Sequence, residues 1–468
     1  MLRRLVIFMA VLVIAIPVIF YSFQSYSRAA AIKANIIVDV TKTSGAFPDR
    51  WKALAQGGEE SGVRMLENVI SQVSGLYPKY IRLDHIYDFY EVVSRDSSNN
   101  LSFDFSKLDK TVCDIINTGA KPFFSLGYMP PTMSDDGSLV GKPKDWNEWT
   151  FLVQKTVEHY SNKETVTPCG AQEDFWKTDI YYEVWNEPDG FNFGKWNINS
   201  GKSYSDLYFY SVKGAQQAQN VLPFKIGGPS TTSLYKNWTQ GFLDFVIKNN
   251  LKLDFISWHH YSKKTDDYTQ DIINLNKWLS GPKYGRYQNL PKIISEWGYD
   301  SEKNPIADTE VGAAHTVASL RNLLNADVDL SFLFEIKDGP TLSWGILNYD
   351  GSPKPRYLAL KLLNGLEGNQ LIIDGEGSNV SAIASINEEK IALVLTNYDE
   401  YGRNSEAVPV VFKNLNGVSY NLTKKYPDGR SEIFLNLQAA GGELRLEGER
   451  AIIMPANTIV ELELTKIQ

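Results

Sequence analysis

Two glutamates stand out by the company they keep. In "YYEVWNEPDG" (181 to 190) a strand-like run ends at Asn186 and Glu187, and Pro188 then stops it. Proline has no N–H for a sheet ladder and biases the residue before it away from helix, so pairing must end or bulge at Glu187. A second glutamate, Glu296 in "IISEWG", closes another strand-like run. Two carboxylates converging on one pocket are the apparatus for breaking a glycosidic bond: one protonates the leaving oxygen and the other attacks the anomeric carbon. Their surroundings must differ, because the acid has to hold its proton near neutral pH while the other group stays ionised.

Positioning such a pair requires a particular scaffold. The separation, 296 − 187 = 109 residues, is about three βα units of ~35 residues. Candidate strands recur at "NIIVDV" (35 to 40), "KYIRLD" (79 to 84), "KPFFSLGYM" (121 to 129), "DIYYEVW" (179 to 185), "FKIGGPS" (224 to 230), "LDFISWHHY" (253 to 261), "PKIISEWGY" (291 to 299) and "LSFLFEIKD" (330 to 338). Amphipathic stretches such as "FSKLDKTVCDIINTG" and "YSDLYFYSVKGAQQAQN" lie between them. Eight alternations predict an α/β fold, a closed (β/α)8 TIM barrel over 32 to 366, with the glutamates at the carboxyl ends of strands four and seven. A bulge at that rim would let both Asn186 and Glu187 face the mouth. From about residue 367 to 468 short alternating strands separated by Asn, Gly and Asp turns predict a C-terminal antiparallel β-sandwich domain.

Composition narrows the partners. Of 468 residues, 47 are Lys or Arg and 55 Asp or Glu, a net charge of -8 that repels phosphate backbones and argues against nucleic acid. Five histidines without an H-E-x-x-H arrangement, and two cysteines without metal-ligand spacing, predict neither a metal site nor any other cofactor. Residues 5 to 23 carry no charge and would span about 28 Å as a helix. Residues 1 to 31 therefore read as an N-terminal hydrophobic segment, a membrane anchor or a cleaved signal. With Arg3 and Arg4 ahead of it, the rest of the chain is expected outside the cytoplasm.

The ordered set "YIRLD", "KPFFSLGYMP", "YYEVWNEP", "KIGGPS", "DFISWHHY", "PKIISEWG" and "KPRYLALKLLNGL" resembles the retaining glycoside hydrolases of clan A, and family 39 most closely. That family includes β-xylosidases, α-L-iduronidases and endoglycosidases acting on exopolysaccharides. The resemblance implies Glu187 as acid/base, Glu296 as nucleophile and Asn186 as a hydrogen-bond partner of the sugar 2-hydroxyl. It also implies His259 and Tyr261 beside the pair, the tyrosine against the nucleophile, and Arg82 as the fixed charge that keeps Glu296 ionised. Alternation along "SWHHY" puts Trp258 and His260 on the opposite face, in a packing or structural hydrogen-bonding role. Glu183 would point into the barrel as part of a buried network.

Two positions depart from the family pattern. Where family xylosidases tend to carry His two residues after the arginine, this chain has Asp84 followed by His85. Phe334 stands where the clan has a Trp on the last strand, with Trp344 downstream as a substitute platform. Loops after strands three and four carry Trp146, Trp149, Phe191 and Trp196, rings that would either stack on sugars in an extended cleft or pin their own loops. The expected partner is an oligo- or polysaccharide. A transglycosylase using the same glutamates and a non-catalytic carbohydrate receptor are the rival functions.

Overall fold

The computed structural model describes residues 32–57, 60–164, 169, 174–326, 328–341 and 343–467. The apolar run at 5 to 23 lies outside them, and among the described residues no helix is long and apolar enough to cross a membrane.

The chain divides into two compact units, one of which is residues 46–365 with 426–430. Its centre is a closed parallel barrel of eight strands in sequential order: β1 (Ala53–Gln56), β2 (Tyr80–Leu83), β3 (Lys121–Leu126), β4 (Ile180–Val184), β5 (Phe224–Thr231), β6 (Ile256–Tyr261), β7 (Lys292–Gly298) and β8 (Leu330–Phe334). Helices alternate with them, including Ser106–Asn117 and Tyr204–Gln217 where amphipathic spacing predicted them. Local chemistry starts several: the side chains of Asp145, Ser203 and Thr309 accept from backbone N–H groups at the heads of Trp146–Tyr160, Tyr204–Gln217 and Glu310–Asn325. Gly214 lets two of these helices approach, since a Cβ there would collide with the Thr150 carbonyl.

The first predicted strand is a correction. "NIIVDV" is the start of a strand, Ile36–Ala46, that pairs in parallel with Val410–Lys413 in the second unit, so the segment from 32 to 45 is not part of the barrel domain. The true β1, "ALAQ", is four residues long, alanine-rich and buried throughout, and so shows neither alternation nor β-branched enrichment. Burial on both faces, rather than propensity, makes it a strand.

The second unit contains a nine-stranded sheet. Its pairings from Asn369–Asp374 through Val380–Ile386 and Lys390–Asn397 to Thr458–Lys466 and Ser419–Lys425 are antiparallel. A two-stranded ribbon, Glu406–Val408 with Ile452–Met454, accompanies it.

Inside the barrel the floor is apolar. Ala53, Ala55, Phe123, Tyr181, Phe255, Ile293, Leu330 and Phe332 form one buried cluster, with Phe123 stacked on Tyr181 at 5.2 Å between ring centroids. All but Phe255, which immediately precedes β6, lie in barrel strands. Inward positions nearer the carboxyl ends of the same strands are polar, and there the candidate site begins.

Candidate active site

Period-two alternation carries Tyr181 to Glu183 along β4, and from Phe255 just before β6 to Ser257 and His259 along it, all on the lumen side. Two irregularities then re-aim the glutamates. On β4, Trp185 and Glu187 take positive φ values of 70° and 48°, which breaks the alternation. Trp185 consequently packs edge-on to Tyr128 and Trp196, while Asn186 and Glu187 both enter the site. On β7 the register shifts between Ile294 and Glu296, so Glu296 faces inward two residues after an outward position and one after Ser295. A third shift on β5, between Pro229 and Thr231, frees Ser230 from the ladder.

Arg82 on β2 holds the centre. Its Nε donates to Glu183 Oε2 at 2.8 Å, its Nη1 to Glu296 Oε1 at 2.7 Å and its Nη2 to Asn186 Oδ1 at 2.7 Å. The Tyr261 hydroxyl donates to the other Glu296 oxygen at 2.8 Å. His259 Nδ1 lies 2.9 Å from Glu187 Oε1 and 3.4 Å from Glu296 Oε2, and its Nε2 meets Ser230 Oγ at 3.1 Å. Asn186 is steadied from behind, donating through Nδ2 to the Tyr128 hydroxyl at 2.9 Å. Glu183 thus takes the network position expected of it. His260 faces away, bonding Asp271 together with Trp258.

Burial and charge compete at each group. Burial pushes the Glu296 carboxyl above the ordinary carboxylate range, and His259 and Arg82 pull it back only in part. At Glu183 burial is again the largest influence, but Arg82 and His259, with hydrogen bonds from Ser257 and Ser295, together outweigh it and the carboxyl is lowered. Burial would lower His259, yet the carboxylates of Glu296 and Glu187 overcome it and hold the imidazole above its usual value. Burial likewise raises Asp84. One ligand atom from each of Glu187, His259 and Glu296 lies within 4.8 Å of the others, an arrangement that could also surround a cation. The guanidinium already bonded to Glu296 places a fixed positive charge there and opposes a second one.

The remaining predicted residues are placed unequally. Asp84 is buried at the end of β2, beside this network. Trp344 is half-buried, edge-to-face with Phe334 at 6.2 Å, and Phe334 in turn meets Tyr261 at 6.4 Å. Trp196 is a correction: it is 2 % exposed, with Trp185 against it and Lys202 Nζ over its ring, so it has no face to offer a sugar. Trp146 is half-buried and stacks on Tyr210 at 5.0 Å, joining two helices. Trp149 is buried and donates to Ser211. Among the four loop rings only Phe191 stands out in solvent, 79 % exposed. Sequence reasoning missed Tyr128 and Ser230. Tyr128 follows the end of β3 and Ser230 lies in the last residues of β5, but nothing in "SLGYM" or "GGPS" marks which of those residues turns inward.

Comparison with known proteins agrees with this architecture. The family model "Glycosyl hydrolases family 39" matches residues 34–430. A β-xylosidase from Caldicellulosiruptor saccharolyticus is 27% identical over 353 residues, 69% of each chain. One from Geobacillus stearothermophilus is 26% identical over 371 residues, 70% of this chain and 71% of that one. A GH39 enzyme from Xanthomonas axonopodis pv. citri shares the fold with a TM-score of 0.72 at 20% identity, covering 93% of this chain and 98% of that one. A monomeric β-xylosidase from Caulobacter crescentus CB15 also superposes with a TM-score of 0.72, at 21% identity over 93% of this chain and 100% of its own. A barrel with two glutamates at its mouth, matched by the family model along most of its length, is thus a glycosidase, and the chain belongs to glycosyl hydrolases family 39.

Proposed function

We propose that the protein cleaves β-xyloside-type linkages of an oligo- or polysaccharide with retention of configuration, through a covalent glycosyl-enzyme. The observation that carries the reading is the approach of the Glu187 and Glu296 carboxylates, whose nearest ligand atoms lie within 4.8 Å. That approach is in keeping with the ~5 to 5.5 Å class of retaining enzymes rather than the ~6.5 to 9.5 Å of inverting ones. The two curated relatives named β-xylosidase support the sugar class.

The partners divide the labour. Glu296 receives a hydrogen bond on each oxygen, from Arg82 and from Tyr261, and both donors favour its ionised form. It attacks the anomeric carbon as the bond to the leaving oxygen breaks and Glu187 gives that oxygen its proton. Water then attacks the same carbon, Glu187 takes a proton from it, and the bond to Glu296 breaks. Asn186, pinned between Arg82 and Tyr128, presents its amide toward the sugar 2-hydroxyl, where a hydrogen bond strengthens in the transition state. The uncharged run at 5 to 23 supports an extracytoplasmic place of action, which a periplasm-active reporter fused after residue 31 would test.

The experiment is a time-resolved NMR assay on aryl glycosides and xylo-oligosaccharides. Initial release of the β-anomer from a β-xyloside supports the reading, and initial release of the α-anomer defeats it. Products longer than the substrate would move the assignment to transglycosylation.

A further inference from the structure

Asp84 is a departure from the family pattern that the reaction described above does not use. Arg82 points into the lumen of β2, so alternation puts Asp84 on the same side, one step nearer the mouth. The side chain is 7 % exposed, and its Oδ1 is buried without a hydrogen-bond partner among the described residues. It sits close enough to His85, Arg82, Asp88, His259, Glu296 and Tyr128 to interact electrostatically with each. The fold makes room for it at Gly57, where a Cβ would collide with Asp84 Oδ1. A buried carboxylate oxygen without a donor is costly, so a position shaped to keep one calls for a donor from outside the chain.

The neighbouring charges say what kind. Arg82 has Nε, Nη1 and Nη2 committed to Glu183, Glu296 and Asn186, and His85 turns its Nδ1 onto Asp88 at 2.7 Å. With Arg82 engaged by Glu183, Glu296 and Asn186 and His259 by Glu187 and Glu296, a substrate carboxylate held beside Asp84 would meet the like charges of Asp84 and Glu296.

We propose that Asp84 is a specificity-determining residue: its carboxylate accepts hydroxyl donors of a neutral sugar held beside Glu296 and turns away glycosides of uronic acids. This rests on the reading of the mouth as the place of glycoside cleavage.

The test compares wild type, Asp84→Asn and Gly57→Ala on neutral aryl β-glycosides and on the aryl uronide of matching configuration. Asp84→Asn removes the charge. Gly57→Ala displaces the carboxylate without altering it, and remains informative should Asp84→Asn not fold. The expected result is a fall of about 10- to 100-fold in kcat/KM on the best neutral glycoside in each variant, with thermal melting still cooperative. The ratio of neutral glycoside to uronide should fall by about 10-fold or more. An unchanged ratio in folded variants, or a wild type that prefers the uronide, overturns the assignment of Asp84 and leaves the glycosidase reading intact. A wild type that cleaves no glycoside of either kind overturns both.

Discussion

The floor and the mouth of the barrel are built from the same strands, yet they do opposite work. At the floor Phe123, Tyr181, Phe255, Ile293 and Phe332 exclude water and stack on one another. One or two inward positions further along, Glu183, His259 and Glu296 are equally buried but joined by charge-assisted hydrogen bonds through Arg82 and His259. The floor's residues are largely interchangeable with other apolar residues of similar volume. Each mouth residue has a partner whose own charge becomes a liability if it is removed. Burial thus stabilises at one end and tunes acidity at the other.

Substitutions should separate the two ends by what they damage. The largest effect is expected from Glu296→Gln, a loss of at least about 10⁴-fold in kcat with melting still cooperative, checked by steady-state kinetics and circular dichroism. Glu187→Gln should cost about 10²- to 10⁴-fold, less on aryl glycosides whose leaving group needs little protonation, and a leaving-group series would read that dependence. At the floor, Phe123→Ala should reverse the pattern: about 3 to 5 kcal/mol of stability lost in urea unfolding, with kcat/KM of the folded fraction within a few-fold of wild type. A loss of catalysis there comparable to that of Glu187→Gln would erase the distinction between the ends.

A smaller effect sharpens the account of the mouth. Arg82's positive charge favours the ionised form of Glu296 against the upward push of burial. The acidic limb of kcat/KM in the wild type should therefore lie above the ordinary carboxylate range, and activity should fall as pH drops through it because Glu296 becomes protonated. Removing the charge in Arg82→Gln should move that limb to still higher pH. A shift to lower pH would show that Arg82 does not act on Glu296 in this way.

What the sequence determined by itself was the alternation of strands and helices, the two glutamates at strand ends, and the opposite faces of His259 and His260. These are properties of residue type and of periods of 2 and 3.6, which survive without knowledge of neighbours. The tertiary structure decided the rest. "NIIVDV" has the composition of a barrel strand but pairs with Val410–Lys413, whereas "ALAQ" becomes β1 because both its faces are buried. Trp196 has the composition of a sugar platform but is covered by Trp185 and Lys202. Tyr128 and Ser230 enter the site through strand ends, and the register shift near Ser230 has no local signature. Pairing partners, bulges and ring coverage depend on which segments pack together in space, from the neighbouring loop around Trp196 to the distant partner of "NIIVDV", so the physical forces that set them act only once the chain has closed.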